Sequence, residues 1–347
     1  MTAARLCIEE HVDPALALAR GQLCWNACSP AQPVSLYAAS LAGSALILGA
    51  HQHATQALSP QTLAAERVLR RSTGGATMLA REGVSYVALG LHERSALMSC
   101  PPQRILNRNV RGTLHGLRLA GTSAAYFGRD FISVEVRPAV YTAWQATADG
   151  RVLLEFFICE SQLCWPAAEQ LGYPTRSEDP FRGKSPITLQ QAGARVHGAA
   201  LLQEIAHGHA VAFGCEWQPL ALTDAQCAQA EALAARQHDG ATPDTLVWSA
   251  LYEEAIGFVS AAVSLDTVRK LDSVRLAGDF FADDASHAAL VRALRGVEPR
   301  PELIGRALDA VYAGGRHELE GVRSLQTFQE AMLDSLQRTR AAAAQRP

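Results

Sequence analysis

The middle of the sequence restricts the fold more than any other part of it. Apolar residues alternate over Phe131–Val136 as in a half-buried strand, and a second strand is predicted at Tyr141–Ala146. The dipeptide Asp149-Gly150 is typical of a tight hairpin turn, and it leads into a third strand, Arg151–Ile158. Three strands joined by short turns form an antiparallel meander. This pattern excludes a fold built only from strand–helix–strand crossovers.

Helices and further strands are predicted on both sides of the meander. Before it, the patterns indicate strands at Ser44–Leu48 and Val84–Leu91 and helices at Gln61–Leu69 and Arg104–Leu119. After it, the polar stretch Gly172–Ser185 has the length of a loop that often carries function. Thr223 then provides a cap for a helix that ends near Gln237, and Gly240–Asp244 is typical of a linker. We therefore expect a domain boundary near residue 240.

Composition limits the classes of function. The 347 residues carry a formal net charge of −3, which gives no compositional support for binding nucleic acid or anionic lipid. Apolar runs stop well short of the roughly 18 residues that a membrane-spanning helix needs, so we expect no membrane association and a cytoplasmic protein. The eight cysteines form no pair of zinc-binding knuckles, and no metal site is predicted from them.

Four segments carry candidate chemistry, in the order Ala45–Gln52, Arg70–Ala76, Gly128–Asp130 and Arg182–Leu189. In the second segment two glycines permit positive φ and close approach, so that successive N–H groups could face a carboxylate or a phosphate. Arg70 or Arg71 would add a permanent charge with a planar fork. Taken alone, this segment also suits a tight turn with a solvated flank.

In this order the segments resemble the lipoate/biotin protein ligase superfamily, and most closely the lipoate–protein ligases. That family has a strand ending Gly-x-x-Gln, as in Leu46–Gln52, followed by Arg-Arg-x-x-Gly-Gly-(Gly/Ala), as in Arg70–Ala76. Gly128–Asp130 approximates its Gly-Arg-Asn-Asp strand entry, and Ser185–Leu189 approximates a Ser-x-Val-x-Asn-Leu run. Leu276–Phe281 is similar to part of the ligases' accessory domain, so the resemblance covers nearly the whole chain.

The resemblance implies an α+β fold, with a mixed, largely antiparallel sheet flanked by helices and a small α/β accessory domain. It places a catalytic domain at residues 1–217, a helix and linker at 218–245 and the accessory domain at 246–347. It also implies a two-step reaction. Lipoate or another medium-chain carboxylate reacts with ATP and Mg²⁺ to give an acyl-adenylate, and a lysine of a small acyl-carrier or lipoyl-domain protein then accepts the acyl group. The residues implied to contact substrate or adenylate are Arg70, Arg71, Ser72, Gly74, Gly75, Ala76, Gly128, Arg129, Asp130, Tyr141 and Ser185.

This sequence departs from the family pattern at the catalytic lysine. The family has Gly-Arg-Lys-(Val/Ile)-x-Gly where this chain has Val136–Tyr141, so the lysine position is Pro138 and the second glycine is Tyr141. Proline has neither a charge nor an N–H, and it predicts a strand break or a sheet edge. The tyrosine ring would occupy part of the usual acyl or nucleotide space. Lys184 is the one lysine in the catalytic part of the sequence.

Three interpretations remain open from the sequence. In the first, the protein still forms an adenylate, with Arg137 or Lys184 as the replacement cation. In the second, it transfers an acyl group from a thioester, with Cys159 or Cys164 as the nucleophile. In the third, it is a non-catalytic ligase homologue that binds an acyl ligand, a carrier or a partner protein.

Overall fold

The computed structural model describes residues 2–93, 104–128, 130–174, 176–177, 181, 183–237, 246–313 and 318–344. Its strands are β1 Thr2–Val12, β2 Val34–Leu41, β3 Ala45–Leu48, β4 Val68–Arg70, β5 Met78–Ala80, β6 Val84–Leu91, β7 Ala124–Tyr126, β8 Phe131–Val134, β9 Arg137–Ala146, β10 Val152–Cys159, β11 Cys215–Pro219, β12 Tyr252–Glu253, β13 Phe258–Leu265, β14 Leu271–Gly278, β15 Phe281–Ala282 and β16 Leu319–Glu320. Its α-helices are α1 Pro14–Asn26, α2 Ala54–Ala57, α3 Pro60–Ala65, α4 Ile105–Asn109, α5 Arg111–Leu119, α6 Ala199–Phe213, α7 Asp224–Arg236, α8 Asp284–Leu294, α9 Pro301–Tyr312 and α10 Leu325–Ala344.

An eight-stranded sheet organises the larger part of the molecule. Its strand order is β11-β1-β2-β6-β10-β9-β8-β7. Strand β1 runs parallel to β2 and β11, whereas every other neighbouring pair is antiparallel. Strands β8, β9 and β10 form the meander that the sequence predicts. The α+β class, with a mixed, largely antiparallel sheet and flanking helices, is confirmed.

A smaller sheet holds the glycine-rich segment. Strand β3 lies between β4, which is parallel to it, and β5, which is antiparallel. The chain leaves β3 at Gly49, returns through β4 to Arg70 and then forms a loop over residues 71–77 before it enters β5. The Gly-x-x-Gln turn and the Arg-Arg-x-x-Gly-Gly-Ala loop therefore emerge beside each other.

Three local predictions need correction. The helix predicted at Gln61–Leu69 ends at Ala65, because its last residues pair with β3 as strand β4. The helix predicted at Arg104–Leu119 is divided into α4 and α5 at Val110. Pro138 does not break a strand.

Pro138 lies inside β9 because the turn comes two residues earlier, at Glu135 and Val136. It faces Ser133 of β8 across a register shift, and pairing of β9 with β10 begins only at Val140. A proline without an N–H is tolerated here because β10 requires no hydrogen bond from that position.

The hydrophobic interior is divided into a large core and a separate C-terminal core. The C-terminal core is formed by buried residues between Val259 and Leu336, including Phe280 and Phe328. Helix α7, capped by Thr223 as predicted, packs its Ala230 against α1. The boundaries near residues 217 and 245 stay predictions, and the predicted linker Gly240–Asp244 lies outside the described residues.

Within the described part of the chain, no helix combines the length and the apolar character needed to cross a membrane.

Candidate functional site

Two backbone donors of the glycine-rich loop are bonded to other parts of the protein. The Ala76 N–H donates to the Tyr141 hydroxyl at 2.8 Å, and the Gly75 N–H donates to the Phe280 carbonyl at 2.9 Å. Gly75 has φ of +89°, and a Cβ there would lie 2.1 Å from the Tyr141 hydroxyl. Gly75 thus takes the positive φ that the sequence permits, but protein oxygens rather than an open ligand site accept these two N–H groups.

Arg71 lies beneath this loop, with only 2% of its surface exposed. Its Nη2 donates to the carbonyls of Gly74 and Ala76 at 2.6 and 2.8 Å, and its Nε donates to the Thr73 hydroxyl at 3.0 Å. The guanidinium also lies 5.4 Å from the centre of the Tyr141 ring. Arg71 therefore shapes the loop from inside.

A buried carboxylate compensates the positive charge of this arginine. Glu155 of β10 is 1% exposed and accepts hydrogen bonds from Thr73 and from the Tyr86 hydroxyl. Burial raises the pKa of Glu155, while the charge of Arg71 and these two donors oppose the rise. Glu155 is not among the site residues predicted from the sequence, although it is the one charged residue within the otherwise apolar run Val152–Cys159.

Arg70 plays a similar part for the neighbouring turn. Its Nη1 donates to the carbonyls of Gly49 and Gln52 at 2.8 and 2.6 Å. Each arginine of the motif, Arg70 at the end of β4 and Arg71 directly after it, thus fixes one turn of backbone through carbonyl oxygens.

A cavity of about 180 Å³ opens beside the loop, between the large sheet and the C-terminal part. Its walls are mainly apolar, and its ionisable side chains are Asp130, Tyr141, Tyr173, Arg176 and Asp279. A mainly apolar cavity with a few convergent polar groups is typical of a small-molecule site.

Among the described residues that line this cavity, Arg176 is the one with a cationic side chain. Its Nη2 donates to the carbonyls of Glu254 and Ala255, and its Nε lies 3.4 Å from the Glu253 carboxylate. Its Nη1 makes no hydrogen bond within the described part of the chain. The sequence indicates a functional loop at Gly172–Ser185 but does not single out this residue, because an arginine in a polar loop is usually solvated.

A polar network joins the two parts of the molecule at the cavity wall. Gln52 Nε2 donates to Asp279 Oδ1 at 2.5 Å and lies 2.6 Å from the Tyr173 hydroxyl, which also donates to Asp279. Burial raises the pKa of Asp279 to about 6, although these donors and the Phe258 N–H oppose the rise. The glutamine of the Gly-x-x-Gln motif therefore fixes the C-terminal part in position.

The structure brings only some of the predicted site residues to the cavity. Ala76, Asp130 and Tyr141 line it. Gly74 and Gly75 lie beside it in the loop, Ser72 is half-buried at the start of that loop, and Gly128 lines an adjoining groove with φ of +74°. Arg129 lies outside the described residues.

The predicted replacement cations do not line the cavity. Arg137 donates from Nε and Nη2 to the carbonyls of Ser185 and Pro186 at 2.8 and 2.9 Å. Lys184 and Ser185 are exposed. The Ser185–Leu189 run does reach the start of β9, since the Ile187 N–H donates to the Pro138 carbonyl at 2.8 Å.

The two candidate nucleophiles are buried. Cys159 and Cys164 are both 0% exposed, and their Sγ atoms lie 3.4 Å apart. Burial raises the pKa of the Cys164 thiol, with further contributions from Cys159. A buried thiol that resists deprotonation is a poor nucleophile, so the geometry gives no support to the thioester mechanism.

No cluster of three or more His, Cys, Asp or Glu side chains suited to a metal ion occurs among the described residues.

Comparison with solved structures identifies the fold. LipL1 of P. falciparum in complex with lipoate matches 90% of this chain and 99% of its own, with a TM-score of 0.67 and 11% identity. The bi-partite lipoate protein ligase of Thermoplasma acidophilum matches 71% of this chain and 100% of its own, with a TM-score of 0.57 and 14% identity. Lipoate-protein ligase A bound with ATP matches 68% of this chain and 95% of its own, with a TM-score of 0.55 and 14% identity.

Comparison with protein-family models gave no match, and neither did a sequence search of curated proteins. The likeness is therefore one of structure. This chain has the fold of the lipoate–protein ligases, as the order of its sequence motifs indicates.

Proposed function

We propose that the protein binds a medium-chain acyl carboxylate, such as lipoate or octanoate, in the cavity and does not convert it into an acyl-adenylate. The observation that carries the proposal is the Tyr141 hydroxyl at the edge of the cavity, where it accepts the Ala76 N–H. The cavity is mainly apolar, while the N–H groups of Gly75 and Ala76 beside it are already bonded within the protein.

The carboxylate end of the ligand would bind Arg176. Its side chain is 15% exposed, and Glu253 and two carbonyls hold it in place through Nε and Nη2. Nη1, which bonds to none of the described residues, can donate to a ligand carboxylate, and a charge-assisted bond of this kind is a strong one. The aliphatic part of the ligand would pack against the apolar wall, for example Met78, Leu171 and Ile256.

Adenylation is disfavoured on electrostatic grounds. When a carboxylate attacks the α-phosphate of ATP and pyrophosphate leaves, the site must aim donors at the charge that develops on the phosphate oxygens. The resemblance puts the family lysine at Pro138, which has no donor, and the N–H groups of Gly75 and Ala76 are bonded to Phe280 and Tyr141. Arg70 and Arg71 bind loop carbonyls.

Binding of lipoate and octanoate by isothermal titration calorimetry tests the first half of the proposal. Arg176→Gln should weaken binding at least about tenfold, the loss expected for one hydrogen bond to a charged group. Arg295→Gln is the matched control, because this arginine is 74% exposed. The control variant should bind lipoate and octanoate with the affinity of the wild type. Failure of the wild type to bind either acid would contradict the proposal.

The second candidate function is an ATP-dependent acyl ligase, which the ordered motifs and the ligase fold favour. Lys184 or Arg137 would then supply the missing cation, and a lysine of a small acyl-carrier or lipoyl-domain protein would accept the acyl group. Mg²⁺ would bind mainly to the ATP phosphates, as is usual for this ion.

ATP–pyrophosphate exchange separates the two candidates. We expect no exchange with lipoate, octanoate or biotin at concentrations that saturate binding. Exchange with any of these acids would overturn the second half of the proposal and support the ligase.

A further inference from the structure

The wall of the cavity is unusually rich in aromatic side chains. Six of the sixteen described residues that line it are aromatic, whereas aromatic residues make up 6% of the sequence. They are Phe131, Tyr141, Trp165, Tyr173, Phe181 and Phe258. They come from β8, β9, β13 and the loop that follows β10, so no single element accounts for the enrichment.

Five of these six rings fall into two groups at the cavity wall, and the sixth, Tyr141, packs against Phe157 instead. The first is an edge-to-face series in which Phe181 meets Phe131 at 5.8 Å and 71° and Trp165 at 5.6 Å and 77°. The second is Tyr173 against Phe258, with centroids 4.9 Å apart, and the Arg176 guanidinium lies 6.0 Å from the Phe258 ring. The Arg176 cation is thus associated with the second group.

We propose that the preferred ligand is an aryl-alkanoic acid, with its carboxylate at Arg176 and a planar ring against the Trp165–Phe181–Phe131 group. This inference rests on the proposed function and names the class of acid that the cavity takes. An aromatic ligand can extend the edge-to-face series, and such ring pairs contribute attraction beyond the burial of apolar area. A flexible straight chain gains no such term and loses more conformational entropy when it is held.

The first test compares 4-phenylbutyrate with octanoate, two carboxylates of similar extended length, by isothermal titration calorimetry on the full chain. We expect the phenyl acid to bind about threefold to tenfold more tightly, as one to two aromatic contacts would give. Equal or tighter binding of octanoate would overturn this inference while leaving the proposed function intact. Binding of neither acid would overturn both.

A pair of phenylalanine variants locates the preference. Phe181→Leu keeps an apolar side chain but removes the ring at the centre of the series, and it should bring the affinity ratio of the two acids close to one. Phe127→Leu is the control, because Phe127 is 63% exposed and does not line the cavity, so its ratio should equal that of the wild type. If Phe181→Leu weakens the binding of both acids equally, the Phe181 ring contributes to packing of the cavity wall without selecting the ligand, and the inference is wrong.

Discussion

Arg71 and Glu155 place opposite charges in the interior beneath the glycine-rich loop. Thr73 connects them, since its hydroxyl accepts from Arg71 Nε and donates to the Glu155 carboxylate. The resemblance to the ligases implies that Arg71 contacts the ligand directly, since its permanent charge and planar fork suit a carboxylate or a phosphate. In the structure its donors bind loop carbonyls, so its expected effect on ligand binding is indirect, through the shape of the loop.

The first prediction concerns the stability of this pair. Arg71→Met leaves Glu155 buried without its cation and should lower the free energy of unfolding by about 3–5 kcal/mol. Glu155→Gln leaves Arg71 uncompensated and should have a similar effect. Each single variant leaves the other charge buried without its partner. The double variant should therefore lower the free energy of unfolding by clearly less than the sum of the two single variants. Urea unfolding followed by circular dichroism measures all three, and strict additivity would show that the two residues act independently.

At the scale of elements, the β8–β9 hairpin carries the departure from the ligase pattern. Its two turn residues, Glu135 and Val136, both have positive φ, at +51° and +65°. The resemblance puts a glycine at position 136, and glycine adopts this conformation without strain. A β-branched residue does not, so Val136 is a strained position at the tip of the hairpin.

The second prediction is that Val136→Gly stabilises the protein by about 1 kcal/mol, because it removes left-handed strain from an exposed side chain. Val268→Gly is the control. Val268 is 69% exposed, against 62% for Val136, but it has no positive φ, so its replacement should give no gain. Thermal and urea unfolding compare the variants. A loss of stability in Val136→Gly as large as that in Val268→Gly would show that the turn is unstrained.

Elements with strong local patterns were predictable from the sequence, whereas elements defined by distant pairing were not. The meander, the strand at Val84–Leu91 and the Thr223 cap are encoded within short windows of sequence. The sequence predicts a helix where β4 lies, because only pairing with β3 makes this segment extended. Arg176 could not be predicted as a site residue for a related reason. Its position at the cavity depends on packing against residues 253–258, which are distant in sequence.

For the whole molecule, the contact between the large core and the C-terminal part depends on an uncharged histidine. The His51 ring stacks on Phe280 at 4.8 Å and 5°, and its centre lies 4.8 Å from that of His287. Burial, with further contributions from His287, Arg70 and Arg71, lowers the pKa of His51 to about 3. Asp279 and Glu320 have the opposite effect on how stability varies with pH. Burial raises their pKa values to about 6 and about 7, so these groups favour the folded state at low pH rather than at high pH.

The third prediction isolates the histidine from these carboxyl groups. A histidine that is buried uncharged stabilises the fold fully above its ordinary pKa near 6.5, and this stability is lost as the pH falls from there toward 3. His51→Phe keeps the stacking on Phe280 but cannot take up a proton. Between about pH 7.5 and about pH 4.5 the wild type should therefore lose about 2–3 kcal/mol more unfolding free energy than the variant. The contributions of Asp279 and Glu320 are present in both proteins and cancel in the difference. Urea titrations across this pH range give that difference directly, and parallel curves for the two proteins would mean that His51 takes up its proton as easily in the folded state as in the unfolded chain.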